Sequence, residues 1–304
     1  MEYILETNKL TKIYGQKEAA VDVDLHIREG QIYGLIGRNG AGKTTIMRMI
    51  SGLSTPTRGS YSLFGKTGPE LGKLLRNVGV LIERPGLYPR LSAYENLKIK
   101  CIAMGVKPQG YVEELLKLIG LDSIDRKKPS GAFSLGMRQR LGIGLALVGE
   151  PRLIILDEPI NGLDPQGIVE VRETLVRLRK EKGITIMISS HILDELSKVA
   201  DAYGIIHEGR LLDEFTEDEL LRRSEQYVLI RTDDDSAAEA ALRRAGLEAV
   251  SREQNGLYVR ERLDETPVMA AAIVNAGVGL RELSVNAVSL EDYYLSVTGG
   301  KHRG

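Results

Sequence analysis

Eight consecutive residues near the start of the chain carry its strongest chemical signal. They fit the pattern G-x-x-x-x-G-K-[ST] and lie between a predicted strand at 31–36 and a predicted helix at 43–50. Glycines let backbone N–H groups surround phosphate oxygens, and the positive end of the following helix adds to the attraction. We expect Lys43 to bridge the β- and γ-phosphates and the Thr44 hydroxyl to ligate Mg²⁺. The pattern predicts ATP or GTP binding by Gly37, Arg38, Asn39, Gly40, Ala41, Gly42, Lys43, Thr44 and the adjacent Thr45.

Two carboxylates, Asp157 and Glu158, directly follow a short apolar run at 153–156 that predicts a buried strand. Ligands of open α/β sheets gather at the carboxyl ends of the strands, so both side chains are placed for chemistry. Asp157 there can hold Mg²⁺ directly or through water, and Glu158 can polarise an attacking water as a general base. Alone, the pair would suit a solvated strand end, but beside the phosphate-binding loop it predicts nucleotide hydrolysis.

The elements that must position these residues alternate between strand and helix. A strictly alternating segment at 21–27 predicts one half-buried strand, and residues 205–212 predict a hairpin that turns at Glu208 and Gly209. A helical pattern covers 168–182. Together with three apolar runs that suit the inside of a mostly parallel sheet, these elements predict an α/β core with P-loop topology. The apolar runs lie at 31–36, 153–156 and 185–189.

The rest of the chain divides into a helical insert and a C-terminal region. Ser92 and Glu95 form a capping box at the start of the first insert helix, and further helices are predicted at 111–119 and from Ser134. Past about residue 223 the order of elements is β-α-β-β-α-β, which predicts a small ferredoxin-like α+β domain. We therefore expect a nucleotide-binding domain at 1–222, with a helical subdomain at about 86–150, and an accessory domain at 223–304.

The composition narrows the function classes. The chain has 304 residues with 41 Lys+Arg and 42 Asp+Glu, and this net charge of −1 argues against a nucleic-acid partner held by bulk electrostatics. A single cysteine, Cys101, excludes an internal disulfide and fits a reducing compartment. The N-terminus has no signal-peptide pattern, and no apolar run approaches the ~20 residues of a spanning helix. We expect any work at a membrane to go through a partner.

The order of the motifs resembles that of the ATP-binding cassette (ABC) ATPases. Residues 133–141 read Phe-Ser-Leu-Gly-Met-Arg-Gln-Arg-Leu and precede the Asp-Glu strand, as the signature segment does in that family. Asp164 ends a segment similar to the family's D-loop, His191 resembles its switch histidine, and Tyr14 resembles the aromatic residue that stacks on adenine. The resemblance covers residues 1 to about 215. It implies a RecA-like mixed sheet with an antiparallel β subdomain, and Mg²⁺-dependent ATP hydrolysis with Lys43, Glu158 and His191 as catalytic residues.

The family also implies a head-to-tail homodimer with two ATP molecules, each lying between the P-loop of one subunit and the signature segment of the other. Ser134 suits an N-cap whose hydroxyl faces a γ-phosphate, and Gly136 allows close backbone approach. The family pattern is Leu-Ser-Gly-Gly-Gln, whereas this chain has Leu135 and Met137 in place of the first glycine and the glutamine.

A further departure lies at Glu83, where most of the family has a glutamine that senses Mg²⁺ and the attacking water. This glutamate and the signature segment together resemble those of the branch of the family that exports bacitracin and lantibiotics. The resemblance implies a separate membrane permease, an ATPase on the cytoplasmic face of the membrane, and Thr44, Glu83 and Asp157 as metal ligands. Leu87, Tyr88 and Leu91 are candidates for permease contact, although they could equally pack the insert.

Other classes stay open. An ABC importer differs only at Glu83 and in the signature details, and a soluble ABC ATPase of translation or DNA repair would lack the membrane partner. A P-loop kinase is disfavoured by Glu158 and the signature segment, which favour water as acceptor. The C-terminal domain could serve dimer stability, partner docking or regulation.

Overall fold

The computed structural model describes residues 3–223, 226–253, 256–286 and 289–299. The chain forms two compact units, Met1–Glu217 and Asp218–Gly304. Within the described ranges, no helix has the length and apolar character needed to cross a membrane.

A six-stranded sheet forms the centre of the first unit. Its strand order is β10-β9-β4-β8-β7-β6, and all neighbours are parallel except β10 and β9, which form the predicted hairpin. Three of the four inner strands, β4, β8 and β7, are buried along their whole length, as the apolar runs predict. Their carboxyl ends therefore meet at one edge of the sheet. The strands are β4 Ile32–Ile36, β6 Val78–Leu81, β7 Leu153–Leu156, β8 Thr185–Ser190, β9 Ala202–His207 and β10 Arg210–Thr216.

An antiparallel sheet packs in the same core and consists of β1 Tyr3–Tyr14, β2 Lys17–Val23, β3 His26–Arg28 and β5 Arg58–Leu63. The prediction of one strand at 21–27 is wrong, because β2 ends at Val23 and β3 begins at His26. The buried Thr7 hydroxyl causes the break: it donates to Val23 O at 2.8 Å and accepts from Leu25 N at 2.7 Å. A side chain thus replaces part of the ladder in this segment, where Thr7 N still donates to Leu25 O at 2.9 Å.

Helices cover the sheets and form the insert. The Ser92 capping box is present at the start of α3, and Ser134 caps α5, as predicted. The left-handed Gly120 (φ +66°) follows α4. The helices are α1 Lys43–Ile50, α2 Leu71–Leu74, α3 Ala93–Ala103, α4 Tyr111–Leu118, α5 Leu135–Leu147, α6 Pro165–Lys182, α7 Leu193–Leu196 and α8 Glu217–Arg223.

The second unit contains the predicted β-α-β-β-α-β order, followed by one more helix. Its sheet is antiparallel with the order β12-β13-β11-β14, which is the ferredoxin-like arrangement. Its core joins Val228 and Ile230 of the sheet to Leu242 and Ile273 of two helices. The elements are β11 Tyr227–Thr232, α9 Asp235–Arg244, β12 Val250–Glu253, β13 Gly256–Val259, α10 Thr266–Asn275, β14 Leu280–Asn286 and α11 Leu290–Thr298.

Candidate active site

The loop between β4 and α1 has the conformation of a phosphate cradle. Gly42 adopts φ +109°, and a Cβ atom there would lie 2.5 Å from the carbonyl oxygen of Ala19. A Cβ atom at Gly37 would lie 2.5 Å from the carbonyl oxygen of Ile206. Both contacts are shorter than any side chain tolerates, so the neighbouring backbone itself requires glycine at these two positions.

Lys43, the first residue of α1, is only 5% exposed and points back into the loop. Its Nζ donates to Gly37 O at 2.7 Å and to Arg38 O at 3.3 Å, and it lies 3.0 Å from Glu158 Oε1. The predicted phosphate-binding cation and the predicted general base therefore form an ion pair. Lys43 begins the helix that follows β4, and Glu158 follows β7, 115 positions later, so the packing of these two strands in one sheet brings the residues together.

Asp157 lies at the end of β7 with a hydrogen bond to each carboxylate oxygen. Thr44 Oγ1 donates to Oδ2 at 2.7 Å, and Ser189 Oγ donates to Oδ1 at 2.6 Å. The structure thus joins the two predicted metal ligands Thr44 and Asp157. Ser189 is a residue that motif analysis missed, because a serine near the end of an apolar strand has no distinguishing pattern.

Glu158 has a backbone φ of +50°, which is unusual for a residue with a side chain. Its carboxylate lies between Lys43 and His191, whose Nδ1 is 2.7 Å from Oε2. The predicted base and the predicted switch histidine are therefore in direct contact at the carboxyl edge of the sheet. This arrangement suits a carboxylate that orients a water molecule beside a phosphate.

Glu83 and Tyr14 lie at the margins of this group. Glu83 has φ +66°, and its carboxylate is paired with Nη2 of Arg48, which follows Thr44 by one turn on the same face of α1. Tyr14, at the end of β1, is half-exposed, and Lys12 Nζ lies 5.0 Å from the centre of its ring. An accessible aromatic face beside a cation suits the stacking of a base.

Ser134, Gly136 and Asp164 form a second cluster, built from the N-termini of α5 and α6. The Ser134 hydroxyl accepts from Met137 N at 3.2 Å, and Asp164 Oδ1 accepts from Gly167 N at 3.0 Å. A Cβ atom at Gly136 would lie 3.3 Å from Gly167 Cα, so the two helix ends are in close contact. Among the described residues, no hydrogen bond or ion pair links the three predicted residues to Lys43 or Glu158.

Sequence similarity to known proteins points to one family. The family model for ABC transporters matches residues 20–161. The chain is 40% identical to the bacitracin transport ATP-binding protein BcrA of Bacillus licheniformis over 303 residues, which cover 99% of both chains. It is 46% identical over 209 residues to the lantibiotic transport ATP-binding protein SrtF of Streptococcus pyogenes, covering 69% of this chain and 89% of that relative.

A solved ATP-binding cassette, in a dimeric post-hydrolysis state bound to ADP and phosphate, is also similar. It matches with a TM-score of 0.63 and 25% identity, covering 70% of this chain and 98% of that chain. The predicted fold class of the first unit and the predicted family are therefore confirmed. This chain belongs to the ABC transporter family, as one of its ATP-hydrolysing subunits.

Proposed function

We propose that this chain energises the export of a peptide antibiotic, such as bacitracin or a lantibiotic, through a separate membrane permease on whose cytoplasmic side it acts. The observation that supports this most is the full-length similarity to BcrA, which extends through the accessory unit that the family model leaves out. We assign 1–222 to the nucleotide-binding domain, with a helical subdomain at about 86–150, and 223–304 to an accessory domain.

The catalytic roles follow from the contacts. Lys43 Nζ is held by backbone carbonyls on one side, so its charge points at a phosphate placed in the loop. Glu158 orients the attacking water and accepts its proton. Its carboxylate lies 3.0 Å from Lys43 Nζ, and therefore beside the phosphate that we place at this lysine. His191 holds Glu158 through Nδ1 and contacts the γ-phosphate.

The oxygen atoms of Thr44 and Asp157 fit a magnesium ion. Both are hard oxygen ligands of the kind that Mg²⁺ prefers, and they lie 2.7 Å apart, so the two side chains could hold one ion between them. A bound Mg²⁺ would neutralise charge on the phosphates during hydrolysis. Glu83, which we also propose as a ligand, would first have to leave Arg48.

The second cluster belongs to a composite site in a head-to-tail homodimer. Ser134 and Gly136 present the N-terminus of α5, whose helix dipole attracts a γ-phosphate of ATP bound to the partner subunit. Asp164 lies beside them, and Tyr14 stacks on the adenine of its own subunit's ATP. A similar cassette is dimeric in a post-hydrolysis state bound to ADP and phosphate, which supports this arrangement.

The permease contact is proposed at an open groove with about 820 Å³ of empty space beside the edge strand β6. Lys100 of α3, Met104 directly after that helix and Leu145 of α5 line it, together with the loop that follows Glu83. Tyr88 in that loop is 56% exposed, whereas Leu87 and Leu91 are half-buried. A groove of this kind, lined by both polar and apolar groups, can hold a short helix of a membrane protein.

The test uses purified chain and a sensitive host. Glu158→Gln should dimerise in Mg²⁺-ATP, and mixing it with Ser134→Ala should recover activity, because one of the two sites in the mixed dimer has both halves intact. A mixture that stays inactive would contradict the composite site. The wild-type chain with its co-encoded permease should protect the host against bacitracin or a lantibiotic. A monomeric Glu158→Gln variant, or protection against neither compound, would contradict the dimer or the export proposal respectively.

A further inference from the structure

Ser189 is a fully buried residue of β8 that contacts both acidic residues of the site. Its hydroxyl donates to Asp157 Oδ1 at 2.6 Å and accepts from the backbone N–H of Glu158 at 2.9 Å. A hydroxyl has one proton and two acceptor positions, so this serine satisfies a carboxylate and an amide at once.

The position follows from the strand register. β7 pairs with β8 in parallel, with Leu156 beside Ile188, so the next residues along both strands are Asp157 and Ser189. β7 ends at Leu156, and Glu158 turns away with φ +50°. The Ser189 hydroxyl thus accepts the N–H of Glu158 in place of a ladder carbonyl. This bond fixes the backbone at a residue whose positive φ is unfavourable.

We infer that Ser189 is a positioning residue for hydrolysis, and this rests on the proposed roles of Asp157 and Glu158. Thr44 holds Oδ2 of Asp157, and Ser189 holds Oδ1, so the carboxylate has one orientation. The same hydroxyl fixes the position of the Glu158 backbone N–H, and with it the direction of the Glu158 side chain. Loss of the hydroxyl frees both groups, and misplacement by about 1 Å is enough to slow a reaction roughly 100-fold.

The experiment compares Ser189→Ala with Thr185→Val. Thr185 is a matched control, since it is also fully buried in β8 and its hydroxyl accepts from Gly30 N at 2.9 Å, at the opposite end of the strand. The readouts are kcat and KM for ATP, Tm, and the Mg²⁺ concentration that half-saturates binding of a fluorescent ADP analogue.

Ser189→Ala should lower kcat by roughly 10- to 100-fold, change KM by less than about 3-fold and raise the Mg²⁺ midpoint severalfold. Thr185→Val should lower Tm but leave kcat and the Mg²⁺ midpoint within about 2-fold of wild type. If Ser189→Ala matches Thr185→Val in both quantities, the serine is only structural and the inference is wrong. An inactive wild type would instead contradict the catalytic proposal, and the Mg²⁺ titration, which needs no turnover, would still decide the role of Ser189.

Discussion

Replacing Glu158 by glutamine should strengthen nucleotide binding as well as block hydrolysis. Lys43 Nζ lies 3.0 Å from Glu158 Oε1, and the two side chains are only 5% and 19% exposed. A phosphate that reaches Lys43 must therefore compete with a carboxylate already paired with it. The neutral glutamine removes this competitor and leaves a buried cation that a phosphate can satisfy.

The size of the effect follows from the distance. Two unit charges 3.0 Å apart attract by about 5 kcal/mol at an effective dielectric constant of about 20. Hydration of the released groups offsets most of this attraction, and a hydrogen bond to a charged group contributes about 1.5–3 kcal/mol net. Taking the lower value, we expect Glu158→Gln to lower the Kd for ADP roughly tenfold.

Isothermal titration with ADP measures this, because ADP binding can be followed without hydrolysis. The matched control is Glu29→Gln, which removes the same charge from an ion pair with Arg152 before the amino end of β4. The control should bind ADP within about 2-fold of wild type, since that pair is solvent-exposed. An unchanged or higher Kd for Glu158→Gln would show that the Lys43–Glu158 pair does not compete with phosphate.

Three further changes have expected outcomes. Glu83→Gln should change the Mg²⁺ dependence or the turnover of the ATPase, and identical metal titrations and rates would discard a role for this carboxylate. Gly42→Ala should abolish ADP binding in the same titration and lower Tm, because its Cβ would lie 2.5 Å from Ala19 O at φ +109°. Hydrogen bonds from Ser92 lower the pKa of Glu95, so their stabilisation is present above the ordinary value of 4.5 and is lost as the pH falls below it. Glu95→Ala removes the bonds from both the backbone N–H and the hydroxyl of Ser92, so it should lower Tm more at pH 7 than at pH 3, and equal losses would contradict this.

The parts of the molecule that the sequence predicted well depend on neighbouring residues. Helix α1 begins at Lys43 as expected, because the glycine loop and the helix start are encoded in one contiguous segment. The Ser92 capping box joins residues three positions apart, and the hairpin turn at Glu208 and Gly209 lies between its own two strands. Local spacing determines such features, so a single sequence is enough to place them.

The parts of the molecule that the sequence could not predict depend on contacts between segments far apart in the chain. Ser189 contacts Asp157 across 32 positions, and Arg48 pairs with Glu83 across 35. The break after Val23 is caused by Thr7 of another strand, which no alternation within 21–27 could indicate. Strand register and side-chain pairing are set by the whole core, and one sequence without homologues contains no direct signal for them.

The structure also explains how the signature segment tolerates Leu135 in place of the family's glycine. The residue is partly exposed, and its Cδ2 lies 3.6 Å from where a Cβ atom of Gly162 would stand, so its side chain lies toward the loop before α6. The Ser134 hydroxyl still caps α5, and Gly136 packs against Gly167. The start of α5 and the loop at 161–164 are thus joined by direct packing.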